Sequence, residues 1–259
     1  MNLGIAGRKA IVCASSRGLG KACAKALAEA GCEVVINGRD AKTLAATAAE
    51  LAATAGAKVI AVAADVATPD GQKALFAACP APDILVNNNA GPPFRDFREL
   101  TRQQMLDGVI ANMIVAIELI QKVVGPMSER KFGRIVNITS GSVKMPLAGL
   151  DLSSGARAGL TAFLAGVART VAANNVTINN ILPGSFDTDR LRSNLKSNAH
   201  KTGVSEEDAA KARIATIPAR RFGEPDEFGA ACAFLCSAQA GYITGQNLLI
   251  DGGVFNGAF

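Results

Sequence analysis

The chain has 259 residues, 49% hydrophobic and 5% aromatic, with 27 Lys and Arg against 22 Asp and Glu, a formal charge of +5 and a mean hydropathy of +0.23. Length and hydrophobic share suit one large α/β domain with a substantial core and exclude a disordered chain, while scattered basic residues and few aromatics argue against nucleic-acid binding. The six cysteines lack paired metal spacing, so no metal is expected; with no signal peptide and no apolar run reaching about 18 residues, a cytoplasmic protein with reduced thiols and no membrane contact follows.

Residues 10–14 read as a first buried strand, followed by Ser15-Ser16-Arg17-Gly18-Leu19-Gly20 and an alanine-rich helix over residues 21–30. Strand, glycine-rich turn and helix is the geometry of a dinucleotide phosphate site. Gly18 and Gly20 let the backbone approach a pyrophosphate, and the helix start offers unpaired N–H groups and a positive dipole end. A helix-start turn without a ligand is the alternative. The second strand, residues 33–37, ends in Gly38-Arg39, where an acidic residue would hydrogen-bond the adenosine ribose of NAD. Arg39 stands there instead, and with Arg17 it offers guanidinium donors suited to a phosphate, which argues for NADP(H) over NAD(H). Two solvated surface arginines are the alternative. Residues 41–55, bounded by Asp40 and Gly56, are a helix.

A third strand over residues 58–63 leads to Asp65-Val66, and Thr68-Pro69-Asp70 supplies the cap and first turn of the next helix. The fourth strand, residues 84–87, runs into Asn88-Asn89-Ala90-Gly91. A long helix covers residues 101–127 with Asn112 in its interior, where asparagine is unfavourable and needs compensation. The strand over residues 134–138 leads to Thr139-Ser140, and Ser140 follows Asn112 by 28 positions. Another strand, residues 176–182, ends in Pro183-Gly184 with Thr188 beyond it. Residues 189–221 are polar, basic in places and helix-interrupted. A helix opens near Pro225, and residues 247–250 form a last strand before Asp251-Gly252-Gly253.

Taken in this order, the segments resemble the short-chain dehydrogenase/reductase family, ketoacyl-carrier reductases included, over essentially the whole chain. The resemblance implies an α/β fold of the Rossmann type, doubly wound, with a mainly parallel seven-stranded sheet flanked by helices. It implies a single dinucleotide-binding domain over residues 1–259 with a substrate lid over residues 185–221. It also assigns roles. Ser15 to Gly20 would hold the cofactor, with Cys13 and Ala14 replacing the family's threonine and first glycine. Asp65, beside Val66, would meet the adenine amino group, while Asn89, Ala90 and Gly91 would lie beside the cofactor. Asn112 would anchor a proton-relay water, Ser140 would hydrogen-bond the substrate carbonyl, and Pro183, Gly184 and Thr188 would meet the nicotinamide. The C-terminal elements would build subunit contacts, making a homotetramer.

The departure lies where the family carries a tyrosine and, four positions later, a lysine. Here the register gives Ser153 and Arg157, and the following Ala158-Gly159-Leu160 matches the family's helix, which leaves no room for an insertion. The chain's one tyrosine is Tyr242 and its one histidine is His200, and Tyr242 falls in a segment resembling a structural one. A serine hydroxyl is a far weaker acid than a phenol, and arginine stays protonated; Arg157 would grip the ribose and stabilise negative charge without readily donating a proton. Two residues are candidate substitutes: Asp151, if desolvated, against the alternative of an ionised helix-start carboxylate, and Lys144, as acid or as holder of an anionic substrate, against a solvated loop lysine. Arg130, Lys131, Arg134, Arg190, Arg192, Lys196 and Lys201 are candidates to meet an anionic thioester carrier, or form a solvated basic face. The substrate is a small molecule or an acyl thioester. Three functions remain open: a divergent NADP(H)-dependent oxidoreductase, a cofactor-binding pseudoenzyme or regulatory subunit that heteromerises with an active relative, and a non-redox reaction on the same scaffold.

Overall fold

The computed structural model describes residues 2–92 and 94–258. Its seven strands form one sheet in the order β3-β2-β1-β4-β5-β6-β7, and every pairing is parallel. The strands are β1 (Lys9–Val12), β2 (Glu33–Gly38), β3 (Val59–Ala63), β4 (Ile84–Asn87), β5 (Gly133–Ile138), β6 (Val176–Pro183) and β7 (Asn247–Ile250). Between them run α1 (Gly18–Glu29), α2 (Ala41–Ala55), α3 (Pro69–Ala78), α4 (Arg102–Val109), α5 (Val115–Glu129), α6 (Asp151–Val171), α7 (Asp189–Thr202), α8 (Glu206–Ala215) and α9 (Pro225–Leu235). The chain builds outward from β1 to β3, then returns to place β4 on the other side of β1. That reversal opens a crevice at the C-terminal ends of β1 and β4, where doubly wound sheets hold ligands.

Side-chain alternation sorts the core into two layers. Ala10, Val12, Val34, Ile36, Val86 and Val136 meet α1 and α9 on one face. On the other, Ile11, Val35, Leu85, Ile135 and Ile178 meet residues of α5 and α6, such as Leu119 and Leu160. The helix ends follow local chemistry. Asp40 caps α2 through Thr43 N (2.7 Å), and Gly56 ends it in the left-handed region; Thr68 caps α3 with Pro69 in its first turn.

The helix expected over residues 101–127 is not one regular α-helix. Residues Ile110–Ile114 form a π-turn between α4 and α5, with Asn112 in its middle. The Asn112 amide donates to Gly108 O (3.0 Å), and the backbone N–H of Val115 reaches back to Ile110 O. This extra residue is the compensation that a mid-helix asparagine requires. Counted through the π-turn, Arg102–Glu129 is long and apolar enough to cross a membrane, against the expectation that no run qualifies. In the fold it lies along the sheet, with Val115, Leu119, Ile120 and Val123 in the core and Met105, Ile110 and Ile114 exposed.

Four asparagines stand opposite one another in register across the sheet: Asn87, Asn137, Asn180 and Asn247. Asn87 Nδ2 donates to Asn137 Oδ1 (2.9 Å), Asn137 Nδ2 to Asn180 Oδ1 (3.1 Å), and Asn180 Nδ2 to Asn247 Oδ1 (2.8 Å). Residues 185–221, carrying α7 and α8, leave the sheet and return, and a single parallel bridge between Phe186 and Gly223 closes the base of the excursion.

Candidate active site

The turn after β1 is braced by side chains that come from far along the chain. Asn37 Oδ1 accepts from Ala14 N (3.4 Å) while its amide donates to Val62 O and Ala64 O (3.0 Å each), and Asn88 Nδ2 donates to Ala14 O (3.1 Å). Ser15 points inward: its hydroxyl donates to Val12 O (2.6 Å) and accepts from Asn37 N (3.0 Å), so it supports the turn from within. Ala14 occupies the left-handed region at φ +44°, where a Cβ is unfavourable. Gly20 has no room for a side chain, because a Cβ would strike Ala14 O and come within 2.9 Å of Asn88 Nδ2. No side chain caps the start of α1, and its N-cap residue is Arg17. First-turn N–H groups without a side-chain cap, behind a tightly approached backbone, suit a phosphate.

At the adenosine end, Arg17 Nη2 donates to Thr43 Oγ1 (3.1 Å), and Arg39, directly after β2, is exposed. The nearest acid, Asp40, is occupied as the α2 cap. Its bonds from Thr43, with Arg17 close by, hold its carboxyl below the usual range. Asp65 Oδ1 accepts from Ala67 N (2.9 Å), and Val66 is buried.

The consecutive asparagines after β4 face three ways. Asn87 reaches across the sheet, Asn88 braces the glycine turn, and Asn89 Nδ2 donates to Ala111 O of the π-turn (3.1 Å). Asn87, Asn112, Asn137 and Arg157 line a cavity of about 20 Å³, and Asn87 Oδ1 and Asn112 Oδ1 are buried with no partner among the described residues. Its size and polarity suit one water. Ala111 and Asn112 also line a larger cavity of about 270 Å³, walled by Gly91, Arg95, Leu100 and Leu152.

Arg157 is 8% exposed and lies against the end of β5. Its Nη1 donates to Ile138 O and Thr139 O (2.8 Å each) and its Nε to Ser153 Oγ (3.3 Å), one helical turn away. Burial, with Arg190 nearby, pushes its guanidinium down to about 10, so it is charged at neutral pH. Ser140, one residue beyond Thr139, accepts from Ser142 N (3.1 Å) and Ser142 Oγ (2.9 Å), leaving its own hydroxyl proton to offer a ligand. Both Arg190 and Arg157 reach Gly91: a methyl on Gly91 would stand 2.9 Å from Arg190 Nη2 and 3.5 Å from Arg157 Nη2. Thr188 caps α7, and its methyl lies 3.6 Å from where a Gly18 Cβ would be, which joins the glycine turn to the Pro183-Gly184 end of β6.

The candidates do not all converge. Asp151 does not meet the condition of desolvation: it is exposed in the first turn of α6 and accepts from Gly149 N (3.1 Å). Lys144 is half-buried at the end of the turn after Ser140, its ammonium 5.4 Å from the centre of the Phe255 ring. Arg134 is 1% exposed and unable to meet a carrier, because its donors are turned into the protein. Tyr242 is fully exposed near the opposite end of β5, where Gly241 approaches Arg134. Among the described residues no cluster of His, Cys, Asp or Glu is arranged to hold a metal, and all six cysteines are free and buried. Sequence reasoning missed Asn37 and Asn88 as braces of the glycine turn; asparagine at the end of a buried strand was the available signal.

Residues 13–255 match the family described as enoyl-(acyl carrier protein) reductase. The chain is 31% identical over 251 residues to the NADPH-dependent reductase BacG of Bacillus subtilis (strain 168), covering 95% of this chain and 97% of that one. It is 37% identical over 254 residues to a 3-oxoacyl-[acyl-carrier-protein] reductase of Synechocystis, covering 95% and 96%. Among solved structures, L-sorbose reductase from Gluconobacter frateurii, complexed with NADPH and L-sorbose, superposes with a TM-score of 0.94 at 28% identity, covering 99% of this chain and all of that one.

Proposed function

The chain belongs to the short-chain dehydrogenase/reductase family, and from that premise we propose that it is a divergent NADP(H)-dependent oxidoreductase acting on a carbonyl or alcohol group. The observation that carries this reading is the convergence, at the C-terminal ends of β1, β4, β5 and β6, of a braced glycine turn, an uncapped helix start and the Ser140–Arg157 cluster. NADPH-dependent relatives support the cofactor, as do Arg17 and Arg39 at the adenosine end. Gly18, Leu19 and Gly20 with Ser16 would hold the pyrophosphate; Asp65 and Val66 would face the adenine; Asn89, Ala90, Gly91, Pro183, Gly184 and Thr188 would flank the nicotinamide. When bound, the cofactor supplies or accepts hydride.

The protein's own part is to polarise and charge-balance the substrate oxygen. Ser140 donates a hydrogen bond to it. Arg157 places a desolvated positive charge near the oxygen, where developing negative charge is stabilised more strongly than in water. Asn112 and Asn87 hold a water in the small cavity beside Arg157, and that water is the proton source on this reading. Residues 185–221 act as the substrate lid. Exposed Met105, Ile110 and Phe163 support association into a homotetramer or with an active relative, and six free cysteines fit a reducing compartment.

Serine at 153 and arginine at 157 favour one second reading, a pseudoenzyme that binds cofactor and regulates a relative. A non-redox reaction on the same scaffold would use the same oxygen-binding groups. The test is NADPH absorbance loss with ketones and β-ketoacyl thioesters, for the native protein and a Ser153→Tyr/Arg157→Lys double variant. Native turnover is the expected result. The double variant is expected to run faster by roughly 10²–10⁴-fold, the contribution of a positioned acid. Turnover by the double variant alone moves the regulatory reading ahead.

A further inference from the structure

We propose that Arg157 and Arg190 form an anion subsite over Gly91, taking a carboxylate or phosphate group between their guanidinium groups. This deepens the oxidoreductase reading and rests on it for the identity of the substrate. Among the described residues Arg157 has no carboxylate partner, although it is 8% exposed. Its Nη1 and Nε are held by Ile138 O, Thr139 O and Ser153 Oγ, which leaves Nη2 as the nitrogen with no acceptor, on the side of Gly91.

Arg190 is likewise without a hydrogen bond or ion pair among the described residues. Its neighbours are engaged: Arg192 pairs with both oxygens of Asp187 (2.9 and 3.0 Å), and Arg213 donates to Ser185 Oγ (3.1 Å). Asp187 is thus occupied by Arg192.

Both free guanidinium edges turn to one glycine. The methyl that Gly91 lacks would lie 2.9 and 3.2 Å from the two terminal nitrogens of Arg190, and 3.5 Å from Nη2 of Arg157. Two positive groups that converge on a gap, one of them desolvated, repel each other unless an anion lies between them. Planar forks of N–H donors match the oxygens of carboxylate and phosphate. An arginine fits this task where a lysine would not, because it can be anchored through Nη1 and Nε and still present Nη2. The anion has two possible sources, a carboxylate or phosphate on the substrate, or a phosphate of the cofactor, since Thr188 ties this end of α7 to the glycine turn.

The experiment is titration calorimetry of inorganic phosphate and of malonate into the native protein, Arg190→Gln and Gly91→Ala, each with and without saturating NADP⁺. Circular dichroism checks that the variants fold. The native protein is expected to bind both probes. Arg190→Gln is expected to weaken them tenfold or more, roughly the loss of one charge-assisted pair, and Gly91→Ala to do the same by filling the gap. Binding additive with NADP⁺ assigns the subsite to the substrate, and competition assigns it to the cofactor's phosphate. Absence of binding to the native protein overturns the proposal. So does binding that Arg190→Gln leaves unchanged, which belongs to Arg17 and Arg39. Failure of NADP⁺ itself to bind would sink the oxidoreductase reading while leaving an Arg190-dependent anion signal intact.

Discussion

The two ends of β5 each bury an arginine without an acid, and they use it differently. At the start of the strand, Arg134 donates from Nε to Ser237 O (2.9 Å), from Nη1 to Gly133 O and Asn175 O (2.8 and 2.9 Å), and from Nη2 to Asn175 Oδ1 (3.2 Å). Its guanidinium lies 4.5 Å from the centre of the Phe132 ring, with Arg8 stacked on the same ring at 3.9 Å. Every nitrogen is satisfied, so this arginine closes a structure. At the other end of the strand, Arg157 satisfies Nη1 and Nε and leaves Nη2 toward Gly91. A buried charge completed by the protein is architecture, whereas one left short by a single partner points to a ligand.

The largest effect should separate these two residues. Arg134→Met strands the carbonyls of Ser237, Gly133 and Asn175 and is expected to cost about 3 kcal/mol in urea unfolding. Arg157→Met removes an unneutralised charge along with its bonds and is expected to change stability by less than about 1 kcal/mol. Equal losses would break the contrast. The next effect is at the glycine turn. Ala14→Gly relieves a left-handed alanine at φ +44° and is expected to raise stability by about 0.5–1 kcal/mol, less the added unfolded-state entropy. Tighter NADP⁺ binding in the same variant would show that the methyl also crowds the phosphate turn.

Thiol chemistry gives a sharper check on burial with no energetic cost. Burial pushes Cys13 and Cys32 up to about 12, and all six cysteines are buried. The native protein is therefore expected to show almost no reaction with Ellman's reagent at pH 8, and six thiols after denaturation. The smallest effect is at the surface. Bonds from Arg221 and from Glu224 N hold the Glu227 carboxyl down to about 2, below its ordinary 4.5. A depressed carboxylate contributes stability above its unfolded value and loses it as pH falls through the folded one. Glu227→Gln should therefore lower the melting temperature by a small constant amount above pH 5 and flatten its decline between pH 5 and about 2, where the two proteins converge.

Most of the fold was legible because its signals are local. Asp40 and Gly56 bound α2 as cap and left-handed stop, and the apolar runs ending in glycine or asparagine became strands of the parallel sheet. The strand ends β4, β5 and β6 carried the candidate site into one crevice for the same reason. What was not legible depends on contact between distant segments. Nothing local says that Asn37 and Asn88 hold the same alanine, or that Arg190 and Arg157 meet over Gly91. Asn112 lies between these cases. The sequence exposed a conflict with helix propensity, and only the three-dimensional chain showed its resolution as a π-turn.

The line of asparagine amides has a direction. From Asn87 to Asn247 each –NH₂ faces the next strand outward, so the leftover group is an oxygen at the cavity and an amino group at β7. Turning Asn137 or Asn180 over would set oxygen against oxygen on one side and N–H against N–H on the other. Asn137 is held in this sense by a second bond as well, from Nδ2 to Asn179 O (3.2 Å). The acceptor at the cavity wall is therefore set between buried strands in the middle of the sheet, and the exposed Asn247 on β7 only ends the line.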